Sequence, residues 1–163
     1  MTQIRAIIVD DEANNRENLR LALGSYCQEV AVVGEADSAI TALDVIKAQK
    51  PDLVFLDIAM PLGDGFQLLE SLDEIDFAII FVTAYNQYAI RAIKFCAIDY
   101  LLKPITLDRF YQATVKAREY LSLLNQDQST NTADDHFFVK CDSKYEKIMF
   151  KELLFIQAQQ NYV

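Results

Sequence analysis

The chain has 163 residues, an apolar fraction of 52% and a formal net charge of −9, enough for one complete domain with a buried core and part of a second. Its few glycines and prolines exclude a collagen-like or largely disordered chain, and its negative charge disfavours nonspecific binding to nucleic acid. We expect no secretory signal, and no apolar run reaches the roughly 20 residues that span a membrane. The three cysteines are widely spaced, which indicates free thiols and a cytoplasmic location.

Short apolar runs alternate with helical patterns along the first 125 residues. We predict strands at residues 4–9, 30–35, 52–57, 77–83 and 98–102, and helices at about 12–26, 38–49, 65–72, 86–95 and 106–124, with Ser38 and Thr106 as N-caps. The strands are rich in Ile and Val, which is typical of buried parallel strands. Right-handed crossovers would place the helices on both faces of one sheet.

Polar residues suited to a cation and a phosphoryl group close four of these strands. Asp10 and Asp11 end the first strand, Asp57 ends the third, Thr83 ends the fourth and Lys103 follows the fifth. In open α/β sheets, ligands bind at the carboxyl ends of the strands. These four ends meet if the strand order is 2-1-3-4-5. We therefore predict an α/β fold with a five-stranded, parallel, doubly wound sheet of that order.

The predicted cluster of carboxylates has a definite chemistry. Mg²⁺ prefers oxygen ligands and keeps several waters, so one acid of the Asp10-Asp11 pair can bind it directly while the other holds a coordinated water. A carboxylate whose charge is offset by a bound metal ion, such as Asp57, can attack phosphorus and form an acyl phosphate. Mg²⁺, the Lys103 ammonium and the Thr83 hydroxyl would then stabilise the phosphoryl oxygens.

Together these residues resemble a known family. The matching positions are Asp10-Asp11, Asp57 with Met60-Pro61 and Gly65, Thr83-Ala84, and Lys103-Pro104. Over residues 4–124 they resemble the receiver domain of two-component response regulators. The resemblance implies that Asp57 accepts a phosphoryl group from the phosphohistidine of a sensor histidine kinase. It also implies a signalling switch rather than a turnover enzyme.

The resemblance assigns further roles. It implies Asp11 as the direct Mg²⁺ ligand, Asp10 as the water-mediated one and the backbone carbonyl of Ala59 as another ligand. The small Ala84 would leave the site open, and Pro104 is a candidate for a cis peptide bond. Tyr100 matches the switch aromatic of the family, whose ring would turn inward as Thr83 moves toward the phosphoryl group.

The same resemblance predicts a homodimer through the face of the fourth helix, fifth strand and fifth helix. Ile90 and Ile93 of the fourth helix would contribute to this face or to the core. We expect no membrane partner.

Two further stretches of the chain indicate a particular class of response regulator. Residues 125–136 are polar and predict a linker, and residues 137–163 contain short strand-like runs separated by turn residues such as Asp142-Ser143. The stretch TAYNQYAIRAIKFCAIDYLLKPI resembles regulators of the LytR/AlgR class. Residues 137–163 resemble the beginning of the LytTR-type DNA-binding domain found there, but are too few for all of it. Promoter DNA is therefore expected as a partner of the full-length protein alone.

Two other functions remain open. A haloacid-dehalogenase-type phosphohydrolase also uses an Asp nucleophile at a strand end, but it carries a second Asp two residues later, where this chain has Ala59. A receiver-like module that binds a protein without phosphorylation would not need the complete set of site residues. The sequence has no Gly-rich phosphate loop followed by Lys, so nucleotide hydrolysis is not supported.

Overall fold

A computed structural model describes residues 3–61, 63–127, 136–141 and 144–149. The chain forms two compact units, Met1–Asn125 and Gln126–Val163. Among the helices that the structure describes, none combines the length and apolar character needed to cross a membrane.

The first unit alternates strands and helices. In chain order the elements are β1 (Ile4–Val9), α1 (Ala13–Tyr26), β2 (Val30–Ala36), α2 (Ala39–Gln49), β3 (Leu53–Leu56), α3 (Gly65–Glu70), β4 (Ala78–Thr83), α4 (Ala89–Ile93), β5 (Asp99–Leu102) and α5 (Leu107–Asp127). The five strands are parallel and lie in the order β2-β1-β3-β4-β5. This confirms the predicted five-stranded, doubly wound α/β fold.

Two apolar cores lie on opposite faces of this sheet. Ala6 and Ile8 of β1 belong to a core shared with α1 and α5. Ile7 and Val9 belong to the other core, shared with α2, α3 and α4. Alternate residues of a strand point to opposite faces, so one apolar run supplies both cores. The central strands β3 and β4 are buried along their whole length, which holds their carboxyl ends in fixed positions.

Side-chain caps set the starts of two helices. The predicted N-cap Ser38 accepts a hydrogen bond from the Thr41 amide in a reciprocal capping box at the start of α2. Asp64 and Gln67 form the same arrangement at the start of α3, which the sequence prediction did not include. At α5 the Thr106 hydroxyl accepts from the Arg109 amide at 3.4 Å.

The third helix ends at Glu70, two residues earlier than predicted, and the fourth and fifth differ more from their predicted bounds. The fourth, predicted over 86–95, is α4 with only five residues, and the chain leaves the helix through a turn in which Cys96 has a left-handed φ of 52°. The fifth, predicted to end at residue 124, runs to Asp127 and so enters the predicted linker. No Gly or Pro in residues 125–127 stops the helix there.

The second unit contains one described hairpin. Strands β6 (His136–Cys141) and β7 (Lys144–Met149) pair antiparallel, with His136 opposite Met149 and Cys141 opposite Lys144. Both strands fall within or beside the predicted strand-like runs. The remaining predicted run, in residues 150–163, lies outside the described residues, as does most of the predicted linker.

Candidate functional site

Two buried carboxylates and one ammonium meet at the carboxyl edge of the sheet. Asp10 follows β1, Asp57 follows β3 and Lys103 follows β5. The Lys103 Nζ lies 2.7 Å from Asp10 Oδ2 and 2.6 Å from Asp57 Oδ2. Asp10 is 1% exposed and Asp57 5% exposed. Buried charges persist only when they are paired and hydrogen-bonded, and Lys103 provides that pairing for both acids.

The charge state of Lys103 follows from these contacts. Burial alone would lower the pKa of the ammonium, because it penalises the charged form. Hydrogen bonds to Asp10 and Asp57 outweigh burial and raise the pKa above its ordinary value. Lys103 is therefore a cation at neutral pH. One ammonium cannot balance two carboxylates, so the site keeps an excess of negative charge.

Asp11 adds a third carboxylate to this edge. Asp10, Asp11 and Asp57 each offer an oxygen, and these oxygens lie within 4.8 Å of one another. Asp11 is half-buried and accessible from solvent. A compact set of carboxylate oxygens with surplus negative charge fits a hard divalent cation such as Mg²⁺. The exposed Ala59, whose amide donates to Asp57 Oδ1 at 3.1 Å, lies directly after this set.

Several contacts fix the turn that carries the acidic pair. Asp10 Oδ1 accepts from the Glu12 amide at 3.0 Å and from Asn15 Nδ2 at 3.1 Å. Arg16 Nη1 donates to the backbone carbonyls of Asp10 at 2.7 Å and of Asp11 at 3.3 Å. Asn15 and Arg16 were not among the predicted site residues. The available signal was their position near the start of the helix that follows the acidic pair.

Gly65 fixes the loop after Asp57. Its amide donates to the Ile58 carbonyl at 2.9 Å. A Cβ at this position would lie 2.4 Å from the backbone oxygen of Asp57, inside any normal contact distance. The close approach of α3 to this loop therefore requires glycine.

Thr83 contributes a hydroxyl that nothing satisfies within the described residues. It ends β4 and is fully buried, and its Oγ1 has no hydrogen-bond partner among those residues. A buried, unpaired hydroxyl is destabilising by about 1–3 kcal/mol. Such a group suits a ligand oxygen that enters the site. The neighbouring Ala84 is exposed and leaves that approach open.

Tyr100 lies on β5 beside the acidic cluster. Its hydroxyl donates to the backbone carbonyl of Tyr85, and its ring centroid is 6.1 Å from that of Phe81. Burial, together with the negative charge of Asp57, raises the pKa of Tyr100 to about 12. The phenol therefore remains a hydrogen-bond donor at neutral pH.

Two surfaces flank the site. The Lys103–Pro104 peptide bond is cis, and both residues line a cavity of about 590 Å³ between α1 and the start of α5. On the other side, α4 buries Ala92 but leaves Ile90 79% and Ile93 73% exposed. These isoleucines are therefore a surface of α4 and not part of the core.

Comparison with known proteins identifies the family. Residues 6–115 match the model of the response regulator receiver domain. An uncharacterized response regulatory protein of Vibrio parahaemolyticus is 42% identical over 141 residues, which cover 85% of this chain and 58% of that protein. The transcriptional regulatory protein BtsR of Escherichia coli is 33% identical over 168 residues, which cover 98% of this chain and 68% of that protein.

Solved structures agree with this match. The response regulatory domain of protein mrkE from Klebsiella pneumoniae has a TM-score of 0.68 and 29% identity, covering 74% of this chain and 99% of that one. The receiver domain of the putative response regulator NarL from Mycobacterium tuberculosis has a TM-score of 0.64 and 32% identity, covering 72% and 98%. The chain spans only part of the length of its Vibrio parahaemolyticus and Escherichia coli relatives. It belongs to the response regulator receiver domain family, with transcriptional regulators among its relatives.

Proposed function

We propose that Asp57 accepts a phosphoryl group in a Mg²⁺-dependent reaction and that the donor is the phosphohistidine of a sensor histidine kinase. The observation that carries this proposal is the Lys103 ammonium, 2.6 Å from Asp57 and 2.7 Å from Asp10, beside three carboxylate oxygens within 4.8 Å of one another. Such a site holds a nucleophile, a cation and a place for a second cation. Membership in the receiver family supports the kinase as partner.

The chemistry of Asp57 follows from its contacts. One carboxylate oxygen attacks phosphorus, so that an O–P bond forms while the bond to the leaving group breaks. Oδ1 already accepts from the Ala59 amide and Oδ2 from Lys103, which orients the carboxylate. As charge moves onto the phosphoryl oxygens, Lys103 exchanges its contact with Asp57 for one with a phosphoryl oxygen.

The acidic cluster would hold the metal. We assign Asp11 as a direct ligand and Asp10 as a water-mediated one. Asp57 and the backbone carbonyl of Ala59 would be further ligands. A bound Mg²⁺ would supply the positive charge that lets an anionic phosphoryl donor approach the anionic Asp57.

Thr83 and Tyr100 form the proposed switch. The unsatisfied Thr83 hydroxyl would donate to a phosphoryl oxygen on Asp57 and move toward it. Tyr100 holds the backbone carbonyl of Tyr85, two residues beyond Thr83. A shift of Thr83 therefore changes the position of the group that Tyr100 binds, and the Tyr100 ring packs further inward in response.

The proposed output is dimerisation and control of transcription. The exposed Ile90 and Ile93 support a homodimer through the α4–β5–α5 face. We further propose that the chain is part of a LytR/AlgR-class regulator, with residues 1–124 as receiver, 125–136 as linker and 137–163 as the beginning of a LytTR-type DNA-binding domain. Promoter DNA would bind the full-length protein. Light scattering should show a dimer after phosphorylation, and an unchanged monomer would contradict this output.

Intact-protein mass spectrometry tests the acceptor role. The chain is incubated with acetyl phosphate, with and without MgCl₂, beside Asp57→Asn. We expect a gain of one phosphoryl group that requires Mg²⁺ and is lost in the variant. A folded protein that binds Mg²⁺ without gaining mass would instead favour a module that signals by protein contact alone.

A further inference from the structure

Arg16 holds the acidic turn through its backbone. Its Nη1 lies 2.7 Å from the Asp10 carbonyl oxygen and 3.3 Å from the Asp11 carbonyl oxygen. Its Nε lies 3.5 Å from Glu35 Oε2, at the end of the neighbouring strand β2. The Arg16 side chain is only 18% exposed. Helical side chains point back toward the helix N-terminus, which brings Arg16 of α1 onto the turn that precedes the helix.

The two acids of the turn depend on this contact to different degrees. The Asp10 carboxylate is fixed by the Glu12 amide, Asn15 and Lys103. Within the part of the chain that the structure describes, the Asp11 carboxylate accepts no hydrogen bond. Its direction is therefore set by the backbone that carries it, and Arg16 holds that backbone.

The charge of Arg16, considered alone, would weaken the binding of a cation at the acidic cluster. A guanidinium next to a cation site repels the cation, so its removal should strengthen Mg²⁺ binding if electrostatics were its main effect. Its hydrogen bonds go to carbonyl oxygens, which are not the oxygens of the acidic cluster. Positioning of the turn and repulsion of the ion therefore predict changes of opposite sign.

We infer that Arg16 is a positioning residue for the metal: it fixes the turn so that Asp11 faces the ion, and it tightens Mg²⁺ binding despite its positive charge. This inference rests on the proposed Mg²⁺ site. It adds a residue that touches neither the phosphoryl group nor the ion. Outer contacts of this kind commonly change metal affinity by 10- to 100-fold.

The experiment is a titration of the whole chain with MgCl₂, followed by amide NMR shifts, for the wild type and Arg16→Met. We expect the Kd for Mg²⁺ to rise about tenfold in Arg16→Met. Arg20→Met is the matched control. Arg20 lies one turn later on α1 and its Nε is also 3.5 Å from Glu35, but among the described residues it donates no hydrogen bond to the turn. Its removal should leave the Kd unchanged or slightly lower.

Arg16→Lys separates position from charge and guards against a variant that fails to fold. Lysine keeps the charge but lacks the planar fork that reaches two carbonyls and Glu35 together, so we expect a Kd above that of the wild type. Unchanged or tighter Mg²⁺ binding in both Arg16 variants would overturn the positioning role of Arg16 but not the proposed metal site. A wild-type chain that does not bind Mg²⁺ would overturn the proposed metal site itself.

Discussion

The two halves of the carboxyl edge are built differently. At the ends of β1 and β3, the side-chain oxygens of Asp10 and Asp57 all accept hydrogen bonds. At the end of β4, the buried Thr83 hydroxyl has no partner among the described residues, and the short α4 beyond it exposes Ile90 and Ile93. The first half is organised before any ligand arrives, and the second is left to respond to one.

Lys103 connects the two halves. Its amide donates to the Thr83 carbonyl at 2.8 Å, while its ammonium reaches Asp10 and Asp57. A phosphoryl group on Asp57 would draw the ammonium to new oxygens and offer an acceptor to Thr83. The difference between the halves thus suits a switch, because one half binds and the other gains a contact that it lacked.

Lys103→Met should give the largest effect, because it leaves two buried carboxylates without their cation. Removal of one partner of a buried ion pair destabilises by about 3 kcal/mol or more. We expect the free energy of unfolding in urea to fall by that amount and to recover in part with MgCl₂, which replaces the missing charge. Lys116→Met is the control, because Lys116 also pairs with an acid, at 2.6 Å from Asp99, but Arg109 remains beside that acid. Equal losses of unfolding free energy in the two variants, with no recovery in MgCl₂, would contradict the role of Lys103 as the cation that pairs with Asp10 and Asp57.

Gly65→Ala should lower the free energy of unfolding by about 2 kcal/mol, because the new methyl group collides with the Asp57 backbone at the end of β3. It should also slow phosphoryl uptake from acetyl phosphate, measured by protein mass against time. At Gly34, on the edge strand β2, a Cβ would meet the Val45 side chain at 2.6 Å, and none of the three atoms nearest to it would belong to the acidic cluster. Gly34→Ala should lower stability and spare the rate. If Gly34→Ala slows phosphoryl uptake as much as Gly65→Ala, the geometry of the loop after Asp57 does not determine the rate of uptake.

Thr83→Val should stabilise the unphosphorylated protein by about 1 kcal/mol, because it removes an unsatisfied buried hydroxyl, and it should slow phosphoryl uptake. Thr114→Val should have the opposite effect on stability. Thr114 is equally buried, but its hydroxyl donates to the Tyr111 carbonyl at 2.8 Å and contacts Cys27. Urea unfolding measures both. A loss of stability in Thr83→Val would show that the hydroxyl is already satisfied.

Tyr100→Phe should have the smallest effect, and it should show as a change in the pH dependence of stability above pH 10. The pKa of Tyr100 rises from 10.0 to about 12 in the folded state, so its contribution to stability is complete below pH 10 and is lost as the pH rises through about 12. Unfolding free energies measured across this range should therefore fall less steeply in Tyr100→Phe than in the wild type. Identical slopes would contradict a half-buried Tyr100 whose phenol stays protonated.

The sequence predicted the parts of the site that depend on strand order. The apolar runs identify five buried strands, and the need to bring Asp10, Asp57, Thr83 and Lys103 together selects the order that the structure shows. Strand ends are predictable because parallel strands end at one edge.

Contacts that depend on local geometry were not predictable in this way. Arg16 and Asn15 show no unusual pattern in the sequence, since a polar residue on a helix is ordinary until the loop before it is positioned. The length of α4 was overestimated at both ends, because residues 86–88 form a bend and turn before Ala89 and residues 94–96 form a turn in which Cys96 has a left-handed φ. Likewise, the sequence cannot show that the Thr83 hydroxyl lacks a partner, because that depends on every neighbour at once.

The location of the phosphoryl group tests the proposed role of Asp57 most directly. The chain is treated with acetyl phosphate and MgCl₂ and then with borohydride, which reduces an acyl phosphate of aspartate to homoserine, and its peptides are sequenced by mass spectrometry. We expect homoserine at position 57, with Asp10 and Asp11 intact. Homoserine at position 10 or 11, or an unreduced Asp57 in a protein that has gained a phosphoryl group, would contradict that role.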